Sequence, residues 1–590
     1  MRTDTQRLVA LLTVLALAGC SGSGGDEAGD SEHGVFASGK ADGGIDPSSA
    51  EARAVLALVN DPAVDVDLLD DDARLNARAA AAIIEHRDGA DGEPSDDDDR
   101  FDDLAELDAV PFVGQTALTA LLSYAIEHGY LETSDGPTTD VIFSPQPFAD
   151  SHNARVAQLI AGAQHTIDIA MYSYSDAGIQ SALAAAALRG VQVRFVFETA
   201  NDDRKLMGAA LQSSRSGRLE AIGVDVRWVN KIMHHKMMLI DGPRDDADAA
   251  DTATLVTGSG NWSSGAATRY DENTLFLAGH RELNLRMQRE FDLMWEHSRE
   301  LAANPALVNV HSTLAITDEL VGDEPDTDVF FTSANFGIQG VDTFVNEGRN
   351  EVSDQLVAAI EDASASIHIA SGHLRSRPVA EALMRRAAEA PELDIRVYLD
   401  GQEFIAAATH DIQVEELEEC LAEATTASQT RTCNDRGFLF GYLVGEAGID
   451  VRYKYYAYRW NASYANQMHH KYMIVDGDEL WTGSYNLSDN AEHATFENML
   501  RFSGPAFAGL VASYESNFES MWETGRAEDL LGQLRDDIAS LPTAQIPLVF
   551  TPMALTWDEV SSLKSLLVAE CTIVNSAAFR ENAPAHQFCN

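Results

Sequence analysis

The sequence predicts an α/β protein: a pseudo-dimer of two α/β sandwich halves, preceded by a small all-α region. Three observations lead there. One pattern of elements is used twice: QLIAGAQHTIDIAMYSYSD (residues 158–176) and AAIEDASASIHIASGHLRS (residues 358–376) each read as an amphipathic helix running into an apolar strand. A second helix and strand follow in both places, LAAAALRG then VQVRFVFE, and ALMRRAAEA then LDIRVYLD. Helices alternating with β-branched strands predict helices layered on a mostly parallel sheet. The pattern H-x-K-x-x-x-x-D also occurs twice, each time followed by G-S-x-N. Finally, residues 46–135 carry helical rather than strand patterning. At 590 residues the chain is long enough for several cores.

The elements follow in order. MRTDTQRLVALLTVLALAGC places Arg2 and Arg7 before an apolar stretch, Leu8 to Leu17, too short for a comfortable membrane span; residues 1–20 read as a secretion signal. Leu17-Ala18-Gly19-Cys20 resembles the bacterial lipoprotein processing box, which implies that Cys20 is lipidated as the first mature residue; an ordinary signal peptide or a buried apolar helix are the plainer readings. Ser21 after the cysteine resembles outer-membrane sorting, so the expected location is the outer membrane or cell surface. Acyl chains contribute about 0.8 kcal/mol per buried methylene, enough together to hold the protein on a membrane. The glycine-rich, acidic residues 21–45 form a flexible tether. Within 46–135, FDDLAELDAVPFVGQTALTALLSYA contains two helices around a tight Val110-Pro111-Phe112-Val113-Gly114 turn and resembles a helix-hairpin-helix element, with LDDDARLNARAAAAIIEHR as a weaker partner. In that family the hairpin amides contact nucleic-acid phosphates. The acidic flanks, Asp96 to Asp99, favour structural or protein-contact use instead.

The halves are expected at roughly 140–305 and 325–525. The motif segments are MHHKMMLID, with His234, Lys236 and Asp241, and MHHKYMIVD, with His469, Lys471 and Asp476. Both read as buried strands, so His and Lys two apart share a face while Asp241 and Asp476 fall on the other, at the strand end. In the segments that follow, Ser259 and Asn261, and Ser484 and Asn486, again share a face. If the halves close on each other, one cleft holds two imidazoles, two ammoniums, two amides and two hydroxyls. That set suits a phosphodiester: cationic and amide donors neutralise the phosphoryl oxygens, one neutral histidine attacks phosphorus, and a protonated one serves the leaving alkoxide. A metal site fits less well, because the adjacent pairs His234-His235 and His469-His470 face opposite ways and lack a third ligand at zinc spacing.

These residues resemble the phospholipase D superfamily, the HKD phosphodiesterases, in both halves. The resemblance implies two phospholipase D-like α/β halves, a phosphohistidine intermediate on His234, His469 as general acid, and no metal cofactor. It also implies that Lys236, Lys471, Asn261 and Asn486 hold the phosphate, with Ser259 and Ser484 supporting them. Glu272 in DENTLF and Glu497 in FENMLRF stand where that family places a histidine-orienting carboxylate. Asp241 and Asp476, counted with the catalytic motif, are expected to fix the loop beyond the strand. His235 and His470 read as packing residues.

The halves also differ. The acidic insert PRDDADAADTAT after Asp241 reads as a solvated hairpin tip, and the second half inserts residues 402–436, a loop of the size that shapes substrate access. Tyr453, Lys454, Tyr455, Tyr456, Tyr458, Arg459 and Trp460 read either as cleft lining or as a packed strand with an exposed loop. Cys420, Cys433, Cys571 and Cys589 suit disulfides in an exported chain, with Cys420–Cys433 and Cys571–Cys589 the simplest of three connectivities and free thiols the alternative. Residues 526–590 read as a C-terminal appendage. Net charge is −53, with 94 acidic against 41 basic residues. It disfavours a loose grip on nucleic acid and on anionic lipid alike, and simple solubility explains it adequately. The expected partners are a phospholipid or other phosphodiester substrate and a membrane reached through the lipid anchor. Nucleic acid is the alternative, and with both half-sites in one chain the expected state is a monomer.

Overall fold

The computed structural model describes residues 45, 50–89, 100–128, 130, 136–304, 306–307, 310–322, 324–434, 439–456, 465–542 and 550–569. The signal sequence, Cys20, most of the tether, Cys571 and Cys589 lie outside the described residues, as do Tyr458, Arg459 and Trp460. The chain divides into two units, Met1–Asp135 and Gly136–Asn590.

In the first unit four α-helices, Ala50–Val59, Ala77–Asp88, Leu104–Ala109 and Gln115–Glu127, enclose a core that includes Val55, Leu58, Ile83, Leu107 and Leu121. Asn76 and Asp103 cap the second and third helices by accepting from Arg78 and Glu106 backbone amides. Between the last two helices Phe112 takes φ +73° and stands exposed, and Gly114 opens the final helix.

The second unit is built on two eight-stranded sheets of the same order. The first runs Thr138–Ser144, Glu272–Ala278, Thr254–Gly258, Lys236–Ile240, Thr166–Met171, Gln192–Phe197, Asp225–Trp228, Arg299–Glu300. The second runs Thr327–Phe331, Asn498–Phe502, Glu479–Gly483, Lys471–Val475, Ser366–Ser371, Asp394–Asp400, Asp450–Tyr455, Met553–Thr556. The expectation of mostly parallel sheets is corrected. Within these sheets only the helix-linked central strands pair in parallel; the motif strands, joined to their successors without an intervening α-helix, run antiparallel to both neighbours.

Alternation along the motif strands explains how the halves join. Met238 and Ile240 face a core belonging to the first half, and Met473 and Val475 one belonging to the second. Met237, Leu239, Tyr472 and Ile474 point the other way, into a shared core completed by helices Arg281–Glu296 and Ala508–Trp522. Burying a large apolar side chain stabilises by about 1.5–3 kcal/mol, so this common layer makes the two halves one body.

Three further expectations change. Arg244, within the presumed solvated insert, is buried and reaches Asp168, which also pairs with Arg194. The described part of the C-terminal stretch, residues 526–542 and 550–569, is integral, because Met553–Thr556 pairs with Asp450–Tyr455 as the edge strand of the second sheet. The second-half insert, read as a loop, forms helices Ala407–Glu423 and Ala427–Asn434, and the expected disulfide between Cys420 and Cys433 joins them.

Candidate active site

The motif strands begin at the lysines, Lys236 and Lys471, so both histidines sit in the segments that lead into them. Those segments cross between halves: Ile232–Met233 pairs with Thr495–Phe496, and Asp271 bridges Met468. His234 N donates to Phe496 O at 3.1 Å and His469 N to Asp271 O at 3.0 Å. Carboxylates at the ends of central strands fix the preceding residues, Glu198 accepting from Met233 N and Asp400 from Met468 N.

This crossing sets the carboxylate pairing. His234 Nδ1 lies 2.7 Å from Glu497, and His469 Nδ1 lies 2.8 Å from Glu272. Each imidazole is therefore oriented through Nδ1 by the glutamate of the opposite half. The buried pairs His235–Asn498 and His470–Asn273 repeat the exchange at 2.9 and 3.0 Å. Asn273 and Asn498 escaped the sequence reading, although an E-N dipeptide in both copies was the available signal. Thr257 and Thr482 donate to the oxygens of these same amides, again across the halves.

Lys236 Nζ donates to His234 O at 2.7 Å and lies 3.1 Å from its Nε2; Lys471 Nζ donates to His469 O at 2.6 Å. Asn261 and Asn486 each carry a buried Oδ1 with no protein partner, and their side chains make no hydrogen bond among the described residues. The two serines are elsewhere than expected. Ser484 is fully buried and donates to Glu497 at 2.7 Å; Ser259, also buried, accepts from Asn273 N and helps hold the Glu272 carboxylate. They seat the orienting carboxylates and have no exposed face to offer a phosphate. The preceding glycines permit this, since a Cβ at Gly258 or Gly483 would come 2.5 or 2.4 Å from the Asn273 or Asn498 carbonyl.

Asp241 and Asp476 adopt φ of +51° and +55° at the far strand ends. Asp241 accepts from the amides of Gln164, His165 and Thr166, and Asp476 from those of Ser364, Ala365 and Ser366. They clamp the loop before each central strand, away from the imidazoles, and are not part of the catalytic cluster. Of the aromatic-basic run, Tyr453, Lys454, Tyr455 and Tyr456 are buried; Lys454 pairs with Asp271 at 2.7 Å.

A model of the family described as "Cardiolipin synthase, PLD-like domain" matches residues 156–295 and 356–522, together more than half of the chain. The chain belongs to this PLD-like family. Among curated proteins, a mitochondrial cardiolipin hydrolase of Xenopus tropicalis is 30% identical over 154 residues, 26% of this chain and 65% of that protein. A phospholipase D of Rickettsia conorii is 30% identical over 122 residues, 21% of this chain and 54% of that one. The chain thus spans just under two thirds of the length of the first of these relatives. The crystal structure of Nuc from Salmonella typhimurium, titled a phospholipase D family member, covers 28% of this chain and 97% of its own at 26% identity, with a TM-score of 0.23.

In this PLD-like pocket burial, then Lys236, Lys471 and His469, push the His234 imidazole well below its usual range. Burial, then Lys471 and Lys236, does the same to His469. Burial also lifts Glu272 and Glu497 to about 7 and lowers Lys236 to about 7 and Lys471 to about 8. The unliganded pocket therefore disfavours positive charge on the histidines and lysines, and an anion between the imidazoles reverses that by direct attraction. The sign of the pH dependence follows. A proton on His469 is disfavoured in the free pocket, and an anion bound between the imidazoles would favour its uptake. We expect kcat/KM to fall by up to about tenfold per unit as pH rises from 6 to 8, with the alkaline limb of kcat displaced upward. Initial-rate profiles check this; a kcat/KM rising over that range contradicts it.

Proposed function

We propose that this chain cleaves phosphodiesters, and phospholipid headgroups above all, through a phosphohistidine on His234. The single observation that carries the reading is the crossed pairing of two imidazoles with two glutamates. It holds each ring through Nδ1 on a carboxylate and so keeps Nε2 off the carboxylates, with Lys236 Nζ beside the His234 Nε2 at 3.1 Å. In the first step His234 Nε2 attacks phosphorus, the bond to the leaving oxygen breaks, and that oxygen takes the proton from His469 Nε2. In the second, water or an alcohol attacks phosphorus, the P–N bond returns its electron pair to His234, and the attacking oxygen's proton passes to His469. Water gives hydrolysis and an alcohol gives headgroup exchange. Lys236 and Lys471 hold the non-bridging oxygens, joined by the Nδ2 groups of Asn261 and Asn486, and fixed donors of this kind stabilise charge at little reorganisation cost.

The names of the PLD-like relatives, cardiolipin hydrolase and phospholipase D, favour a lipid substrate. Export with lipidation at Cys20 would set the enzyme at a bilayer surface, and the Cys420–Cys433 disulfide fits an oxidising compartment. One chain carries both half-sites, so a monomer suffices. The Val110–Gly114 hairpin is the observation that favours a second reading, cleavage of nucleic acid. Parallel assays with phosphatidylcholine, phosphatidylglycerol and cardiolipin vesicles and with single-stranded DNA decide between them, with His469→Ala as the blank. Release of a lipid headgroup supports the first reading. DNA cleavage without headgroup release replaces it by the second, and no cleavage of either contradicts both.

A further inference from the structure

The two half-sites are not equivalent where the central strands enter the pocket. Tyr172 N donates to His235 O and Gly372 N to His470 O, both at 3.1 Å, so these residues hold matching positions. The Tyr172 ring lies 4.6 Å from the His234 ring, with Lys236 Nζ 5.3 Å from its centre, and forms an aromatic cover over the first imidazole. Among the described residues no aromatic ring covers His469 in this way. A Cβ at Gly372 would stand 2.9 Å from Met468 O, so that position is bare.

The next residue, His373, occupies that side instead. Its backbone is fixed by Ser371, whose hydroxyl donates to His373 O at 2.7 Å. Its Nδ1 lies 3.0 Å from Glu403, a buried carboxylate that Arg375 Nη2 also approaches to 2.6 Å. The side chain is 33% exposed, and its Nε2 has no hydrogen-bond partner among the described residues. The preceding residue lies against the second motif segment, where a Cβ at Gly372 would be 3.7 Å from the His469 Cα, which places His373 next to that segment. A neutral imidazole that donates Nδ1–H to a carboxylate presents Nε2 as an acceptor, the complement of a hydroxyl hydrogen.

We propose that His373 is a specificity-determining residue that accepts a hydrogen bond from a hydroxyl of the alcohol on the His469 side, so that vicinal diols compete with water for the phosphohistidine. This rests on the phosphohistidine reading. One hydroxyl of the diol attacks phosphorus, its proton passes to His469, and the P–N bond returns its electrons to His234. The neighbouring hydroxyl is held by His373 and loses no proton. A simple monohydric alcohol has no second hydroxyl to hold.

The test uses the full chain with bis(p-nitrophenyl) phosphate and either glycerol or 1-propanol at equal concentration. Release of p-nitrophenolate reports formation of the intermediate, and mass spectrometry gives the ratio of transfer to hydrolysis product. That ratio is set after the intermediate forms, so any residual activity in a variant suffices to read it. Wild type is expected to transfer to glycerol several-fold better than to propanol. In His373→Ala the glycerol-to-water ratio drops about fivefold or more, the value of one hydrogen bond, while the propanol ratio and p-nitrophenolate release stay within about twofold. His373→Gln, which restores an acceptor oxygen, recovers part of the preference. An unchanged glycerol ratio in His373→Ala overturns the proposal, as does a wild type with no preference for the diol. Absence of p-nitrophenolate release from wild type is a different failure, since it removes the phosphohistidine reading itself.

Discussion

His234→Ala is expected to lower kcat on the order of 10⁴-fold or more, because the proposed nucleophile is gone. His469→Ala behaves differently, and the difference depends on the leaving group. With p-nitrophenolate, which departs without a proton, the variant still forms the adduct but fails to resolve it promptly. With an alkyl headgroup it loses on the order of 10²–10⁴-fold in the first step, the usual contribution of a general acid. Single-turnover rates with both leaving groups check this. Equal loss in both variants whatever the leaving group would reverse or erase the assignment of roles.

The second large effect is crossed between halves. Glu497→Gln keeps shape and volume but no longer presents a carboxylate to His234 Nδ1, which lies 2.7 Å away. Its effect should resemble damage to the nucleophile, on the order of 10³-fold whatever the leaving group, as expected when a ring loses its fixed tautomer. Glu272→Gln acts on His469, 2.8 Å away, so its effect should be large with alkyl leaving groups and small with p-nitrophenolate. Pairing within halves predicts the opposite assignment. The combination Glu497→Gln with His234→Ala adds little to His234→Ala alone, because the carboxylate works through that ring. Measurement of all four single variants and two doubles with both substrates separates the alternatives.

Much of this arrangement is legible in the sequence, for identifiable reasons. Period-two alternation and a fixed His-to-Lys spacing place each histidine with its lysine. Repetition announces two halves. What the pattern does not carry is which half supplies each partner. Glu272 and Glu497 are recognisable as orienting residues, yet their exchange depends on the crossing of Asp271 to Met468 and of Phe496 to Met233, a tertiary pairing without a local signal. Ser259 and Ser484 share a face with Asn261 and Asn486, as alternation requires, but strand periodicity does not show that their hydroxyls already have carboxylate or amide partners. Strand direction was misread because alternating helices and strands usually give parallel sheets, whereas here no α-helix intervenes between the motif strands and their successors. Arg244 was hidden by its neighbours: in a run dominated by aspartates, one arginine that dives to a buried Asp168 looks like solvated charge.

The central claim is that two half-sites make one pocket with one nucleophile. Rapid acid-free quenching of wild type with a ³²P-labelled diester, followed by peptide mapping, tests it most directly. At most one phosphoryl group per chain is expected, on His234, lost in His234→Ala and retained in His469→Ala. Label on both histidines of the same chain, or on His469 alone, would contradict it.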